Sequence, residues 1–410
     1  MKFLRTAPTR RLLASIAGLV VAIAAGTAIA VAATGSGPVP KRESLASALH
    51  QAATAPSVNG ISARITFTNN LIDSSDFTAS DTTDPILQGA SGRLWLSSDH
   101  QLRIELQSNN GDAQVVVNTG SFWISDPSSQ TVYEGTLPAQ KSDQAKSDKS
   151  ADQGVPSVAE IQSDLNRLMR GVEVSGARPT DVAGRPAYRV VISPKHDGGL
   201  LGSAQLAWDA VKGVPLEVGV YARGNTSPVL ALEATHISYG HIHSSVFSLT
   251  PPAGYKVTRI STPDQSKLAG GAAKRARHAK QAEVSGMAAV ASKVPFKLAA
   301  PKSLVGLPRH SVSLLSSGGQ PGAIGTYGEN LGGIAVIEQK AGAQTAAKPS
   351  GSRDGLSLPS VSINGVTGTE LSTALGTVIQ FTRNGVSYTV IGSVPAAAAQ
   401  AAAQALPTGS

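Results

Sequence analysis

The sequence predicts a mainly β chain of the α+β class: a curved antiparallel sheet around an apolar hollow, followed by a smaller α+β unit. Three observations carry this expectation. Between Gly89 and Pro127, Leu94 and Leu96 alternate with Arg93, Trp95 and Ser97, and Leu102, Ile104 and Leu106 alternate with Arg103, Glu105 and Gln107. Period-two alternation bounded by turn residues marks half-buried antiparallel strands. The composition is rich in turn formers, with 42 Gly and 24 Pro against 4% aromatic and 15% charged residues. Finally, 410 residues are enough for two or three units, each with its own core.

The chain begins as a targeting segment, residues 1–33. Lys2, Arg5, Arg10 and Arg11 precede an uncharged run from Leu12 to Ala33. A basic head and an apolar body signify export. Ala28-Ile29-Ala30 and Ala30-Val31-Ala32 fit small-x-small cleavage, whereas the run is also long enough to span a bilayer, which takes about 20 residues. A signal peptide and a retained anchor at residues 12–33 therefore both stay open, and either one places the remainder outside the cytoplasm. Half of the formal net charge of +8 sits in this head.

The first unit is expected over residues 43–260. Glu43 to Ala55 reads as a short amphipathic helix with Ser44 as cap, and Ile61-Ala63-Ile65-Phe67 as the first strand. Residues 69–90 form a polar excursion before the Gly89–Pro127 strands. Residues 139–154 carry almost no large apolar side chain and read as a mobile loop. Ser157-Val158-Ala159-Glu160 is a capping box that opens a helix with Ile161, Leu165 and Leu168 on one face. Further strands are Tyr188–Ile192, Leu206–Trp208, Leu216–Val220 and Leu230–Ala234, with a hairpin turn across Asp209–Pro215. Phe247–Tyr255 closes the sheet as a terminal edge, since Pro251 and Pro252 cannot continue a central strand.

A basic, Ala-rich linker at 265–293 includes Lys274-Arg275-Ala276-Arg277-His278-Ala279-Lys280. A patch for anionic lipid or an acidic partner is one reading; a solvated linker helix is the favoured one, because no aromatics are interleaved for stacking, and nucleic acid is not expected as a partner. The C-terminal unit, 294–410, holds strands near Val312–Leu314, Ala323–Tyr327, Gly333–Glu338, Val366–Glu370, Thr377–Arg383 and Ser387–Ile391. Asn384-Gly385 is a strong hairpin signal, and Ala396 to Leu406 forms a helix that packs on the sheet.

Several chemistries are excluded. There is no cysteine, hence no disulfide, thiolate nucleophile, Cys-ligated zinc or N-terminal lipidated cysteine. The common hydrolase, nucleotide-binding and zinc-protease motifs are absent. His241 and His243 would face one side of a strand, as a metal pair requires, yet no carboxylate lies in the group with His236, so surface histidines are the expected reading. Asp209 and Glu217 read as turn capping and a solvent face. No enzyme, metal or cofactor is expected.

Four stretches resemble the LolA/LolB-like lipoprotein carriers across about residues 43–260. They are Gly92-Arg93-Leu94-Trp95, then Val117-Asn118-Thr119-Gly120-Ser121-Phe122-Trp123-Ile124-Ser125-Asp126-Pro127, then Trp208-Asp209 with Gly213 and Pro215-Leu216, and Phe247-Ser248-Leu249-Thr250-Pro251-Pro252-Ala253-Gly254. The resemblance implies an incomplete antiparallel barrel wrapped around helices, with a cavity for acyl chains. Where that family has a basic residue and a proline after the Leu-Trp strand, Ser98-Asp99-His100 stand here. The second unit is similar to the smaller domain of RseB/MucB-type sigma-E regulatory proteins in its ending, Tyr388 to Pro395 followed by an Ala-rich helix. The resemblances imply an exported protein that binds a lipid or acylated lipoprotein, or alternatively a sensor that regulates a membrane anti-sigma factor or another envelope protein. The residues expected to line the hollow are Leu94, Leu96, Leu102, Ile104, Leu106, Phe122 and Ile124, with Ile161, Leu165 and Leu168 as its cover.

Overall fold

The computed structural model describes residues 38–72, 85–108, 111–137, 156–196, 198–260, 284–317, 320–342 and 358–407. Residues 1–33, read from sequence as a targeting segment, the polar stretch 139–154 and the part of the expected basic linker before residue 284 lie outside the described residues. Among those described, no helix is long and apolar enough to cross a membrane.

Helix α1 (Leu45–Thr54) starts where the Ser44 hydroxyl accepts the Ser47 N–H, and it buries Ala46 and Ala48. Such a cap stabilises a helix by about 1 kcal/mol. Strand β1 (Gly60–Asn69) follows, and after the one-turn helix α2 (Pro85–Gln88) come β2 (Gly89–Ser97), β3 (Leu102–Leu106), β4 (Ala113–Val117), β5 (Ser121–Asp126) and β6 (Thr131–Thr136). Each pairs antiparallel with the next. The alternation that predicted these strands is their burial pattern: Leu102, Ile104 and Leu106 are buried while Arg103 and Glu105 are not.

Helix α3 (Val158–Leu168) opens with the predicted capping box, in which Ser157 and Glu160 each bond the other's backbone N–H. Beyond it lie β7 (Val172–Val174), β8 (Arg178–Val182), β9 (Arg185–Pro194), β10 (Leu201–Asp209), β11 (Pro215–Ala222) and β12 (Leu230–Tyr239). A short 3-10 turn (Ser244–Val246) leads to β13 (Lys256–Ile260). Among the described residues the sheet has 13 strands in the order β13-β6-β5-β4-β3-β2-β1-β12-β11-β10-β9-β7, with β8 on β9. The strand β1 thus joins the two halves of the meander, pairing Ile61 with Tyr239 on one side and with Leu96 on the other. The result is a mainly β fold with one curled half-barrel sheet.

One expectation about the rim is corrected. Phe247–Tyr255 is no edge strand; it crosses the outer face, where Leu249 and Tyr255 pack on Val116, Trp123 and Val132. The prolines remove the N–H groups a ladder needs, so pairing resumes only at β13, which runs parallel to β6.

Close strand approach depends on Gly92, opposite Leu106. A Cβ there would overlap the Glu105 carbonyl. Gly92→Ala is expected to destabilise the protein by about 1–3 kcal/mol, read as a lower urea midpoint; an unchanged midpoint refutes the constraint.

The C-terminal unit takes in the end of the stretch expected to be linker: α4 (Met287–Ala291) buries Val290 in one cluster with Val312 and Ala323; then come β14 (Ser303–Leu304), β15 (Leu307–Ser317), β16 (Gln320–Tyr327), β17 (Ile334–Lys340), β18 (Ser360–Ile363), β19 (Val366–Thr373), β20 (Gly376–Arg383), β21 (Val386–Gly392) and α5 (Ala396–Gln404). Its described strands form one sheet in the order β14-β15-β16-β17-β21-β20-β19-β18. Asn384 and Gly385 both take positive φ, 50° and 73°, as the tight β20–β21 turn demands. The Ala-rich α5 buries Ala399, Ala402 and Ala403 against Ile363, Ile379 and Val390. Small side chains let this helix lie close to the strands. The two units meet where Leu200 N–H donates to the Ser393 carbonyl at 3.0 Å, and where Ala374 N–H donates to the Leu71 carbonyl at 2.9 Å.

Candidate functional site

Strand periodicity builds the site. On the inner face of the half-barrel, alternate residues of neighbouring strands point the same way: Ile61, Ala63 and Ile65 of β1, Leu94 and Leu96 of β2, Leu102 and Ile104 of β3. On the far side Leu206 and Trp208 of β10, Leu216 of β11, and Leu232 and Ala234 of β12 complete the wall. Together they line a hollow of about 870 Å³ that is open on one side. Helix α1 contributes Leu49, Ala52 and Ala53 to the lining and packs its Leu45 and Leu49 against Tyr188, Val190 and Trp208.

Of the residues expected to line the hollow, Leu94, Leu96, Leu102 and Ile104 do so. Leu106, Phe122 and Ile124 share the same face and the same apolar core, further along the sheet. The stripe Ile161, Leu165 and Leu168 lies on α3, none of whose residues is buried and none of which touches the hollow. Leu168 is 48% exposed. Helix α3 sits beside α1 instead, where the Pro156 carbonyl just before it lies 2.8 Å from His50 Nδ1.

The three tryptophans divide between the faces. Trp208 lines the hollow. Trp95 points to the outer face, with the Arg103 guanidinium 4.9 Å from its ring centroid, and Trp123 lies under the Phe247–Tyr255 crossing.

The open end of the hollow is polar. Ser57 and Asn59 precede β1, Ser98 and His100 sit in the β2–β3 turn, and Lys212 sits in the β10–β11 turn. Asp209, 1% exposed, fastens that last turn: its Oδ1 accepts the N–H groups of Val211 and Lys212 at 2.8 and 2.9 Å, and its Oδ2 accepts the Tyr239 hydroxyl at 2.7 Å. Burial, with the Asp209 carboxylate beside it, holds the Tyr239 phenol far above its ordinary range. Asp209 therefore caps the turn as expected. Glu217 does not face solvent. It is fully buried and paired with Arg189, whose Nε donates to both carboxylate oxygens at 2.9 and 2.8 Å and whose other nitrogen makes a still shorter contact. Burial nonetheless pushes the Glu217 carboxyl up to about 7, with Arg189 opposing the rise. These charges lie on the sheet face opposite the hollow, since Glu217 and Glu233 are register partners that follow Leu216 and Leu232.

His241 and His243 lie beyond the end of β12, with their rings edge to face at 5.5 Å. Among the described residues no group of three or more ligating side chains could hold a metal. Sequence pattern alone does not assign Trp208, Lys212, His100 or α1 to the hollow. A signal for Lys212 is present in the Asp209–Pro215 turn, but only the β1–β12 pairing brings that turn to the same end as Ser98 and His100.

Fold and site together define a class: a two-unit β protein whose larger sheet curls around an apolar hollow with a polar mouth. No family model and no curated protein matches the chain. Solved structures similar to it include MucB in complex with MucA(peri), 15% identical at a TM-score of 0.37, with 88% of this chain and 96% of that chain covered. MucB alone is 16% identical at a TM-score of 0.34 with the same coverage. An uncharacterized conserved protein from Thermus thermophilus is 10% identical at a TM-score of 0.31, covering 52% of this chain and 98% of that one. At these TM-scores the overlap carries neither fold nor function over to this chain.

Proposed function

We propose that this is an extracytoplasmic, non-enzymatic binding protein that takes the acyl chain of a lipid or lipoprotein into its hollow. The observation that supports this reading is the hollow itself, walled by Leu, Ile and Ala from the curled sheet and one helix. Each methylene moved from water into such a site gains about 0.8 kcal/mol. Its 870 Å³ lies towards the upper end of the roughly 300–1,000 Å³ usual for small-molecule sites. Titration with a fatty acid brominated along its chain is expected to quench Trp208 and to leave Trp95 and Trp123 bright. In Trp208→Phe the quenching should vanish. Quenching that persists in that variant, or a purified protein that never carries or competes for acyl ligands, refutes the reading.

A second reading is that of a sensor that pairs with a membrane anti-sigma factor. It is supported by the Leu200–Ser393 and Leu71–Ala374 hydrogen bonds, which tie the hollow-bearing unit to the C-terminal one. The resemblance of residues 388–406 to the sigma-E regulatory proteins points the same way. Capture of a membrane regulator by the full chain supports it, the more so where an acyl ligand alters the capture; no capture leaves carriage alone.

A further inference from the structure

The hollow is apolar, and the charged or titratable side chains that line it are basic, while the nearby carboxylates lie outside the lining: Asp209 is turned into its own turn and Asp99 is exposed beside His100. Lys212 and His100 are the charged or titratable side chains among its lining, and no carboxylate is among them. Among the described residues no carboxylate pairs with the Lys212 ammonium. Both groups sit on constrained turns. Lys212 is held by its own N–H bond to Asp209, as is Val211 before it, and the next residue, Gly213, takes φ of 65° with its α-carbon pressed so close to the Ala52 carbonyl of α1 that a Cβ would overlap it. His100 takes φ of 60°, a left-handed conformation uncommon in a residue other than glycine. Its N–H donates to the Ser97 carbonyl at 3.1 Å, and Gln101 N–H donates to the Ser97 hydroxyl.

Resting on the reading of the hollow as an acyl site, we propose that its ligand is an amphiphile with an anionic head, which Lys212 and His100 receive at the mouth while the chain fills the hollow. Apolar walls distinguish poorly among chains, because each methylene adds the same increment. Discrimination then falls to the few polar groups that fix orientation. A cationic head would meet Lys212 as a like charge. A neutral head would leave the ammonium without a partner that the anionic head supplies. The constrained turns hold the Lys212 and His100 backbones at the mouth before the ligand arrives, so the ordering left for binding is that of the side chains.

The test uses the full chain and four amphiphiles of one chain length: palmitate, palmitoyl lysophosphatidate, monopalmitoyl glycerol and hexadecyltrimethylammonium, each titrated against Trp208 fluorescence. Palmitate, lysophosphatidate or both are expected to bind about tenfold more tightly than the neutral glycerol ester. The first two probes separate carboxylate from phosphate heads, and the cation should bind weakest. Lys212→Met keeps the apolar stem and should collapse the anionic-to-neutral ratio about tenfold. Arg93→Gln, which removes a cation from the outer face, should leave that ratio intact. Equal affinity for anionic and neutral heads, or equal loss for both in Lys212→Met, overturns the head preference while acyl binding stands. No binding of any of the four overturns both.

Discussion

Replacing Arg189 by methionine is expected to cost the first unit about 3–5 kcal/mol of stability, more than the loss expected for Gly92→Ala. The reason is what remains behind. Glu217 is fully buried, and Arg189 is its salt-bridge partner in the structure; Glu233, its register neighbour, is a like charge. Without the guanidinium, Glu217 must be either a bare buried carboxylate or a protonated acid. Its folded pKa already lies above the ordinary value because of burial, and loss of Arg189 raises it further. A raised carboxyl pKa contributes stability that is present below the unfolded value near 4.5 and lost as pH rises through the folded value. The deficit in Arg189→Met should therefore be smallest near pH 4 and grow towards pH 8. Replacing both residues, as Arg189→Met with Glu217→Leu, should recover most of the loss, since a buried pair exchanged for apolar side chains is often neutral in stability. Urea midpoints at three pH values check this. A single variant as stable as the parent at pH 8 refutes it.

The second large effect is a pH dependence located in the C-terminal unit. Glu338 of β17 is 2% exposed and accepts one hydrogen bond, from Ala299 N–H at 2.8 Å. Burial pushes its carboxyl up to about 7, with that hydrogen bond opposing the rise. The titratable groups facing it are phenols: Tyr388, its register partner, and Tyr327, pushed up to about 12 by burial with the Glu338 charge adding to the rise. No cation is paired with it among the described residues. Because the folded value exceeds the unfolded one, the contribution is fully present below about 4.5 and is lost as pH rises to and through about 7. Between pH 5 and pH 8 the loss is on the order of a few kcal/mol, a fall in Tm on the order of 10 °C for a unit of this size. In Glu338→Gln the amide stays neutral, so the same interval should leave the melting temperature of this unit almost flat. Calorimetric scans of parent and variant at both pH values decide it; a parent transition that does not move refutes it.

Local pattern reveals the strands and not what surrounds them. Leu94, Leu96, Leu102 and Ile104 can be placed on one face because a strand's side-chain period is two, whatever the tertiary context. Asp209 can be read as a turn cap because its partners, Val211 and Lys212, are two and three residues away. Glu217 cannot be placed, since its burial depends on Arg189, 28 residues away in sequence and two strands away in the sheet. The short strands β7 and β8 escape local pattern: three residues leave too little room for alternation, and the five of β8 hold Pro179 and a single large apolar residue, Val182. In α3 the stripe Ile161, Leu165 and Leu168 is a true helical face, yet periodicity states only that a face exists. It does not say whether α1, the hollow or solvent lies opposite. The mouth is hidden for the same reason, because His100 and Lys212 are far apart in the chain and meet only through sheet order.

The seam between β1 and β12 has a consequence for how the molecule comes into being. It pairs Ile61 with Tyr239, so one wall is synthesised long before its neighbour exists. Contacts that distant pay their loop-closure entropy before they return any stabilisation, and topologies rich in them fold slowly. Until β12 docks, β1 presents Ile61, Ala63 and Ile65 on an unpaired edge, the kind of surface that recruits other chains. The hollow has two walls only when this seam is closed. A chain in which it stands open offers that edge to a second copy instead.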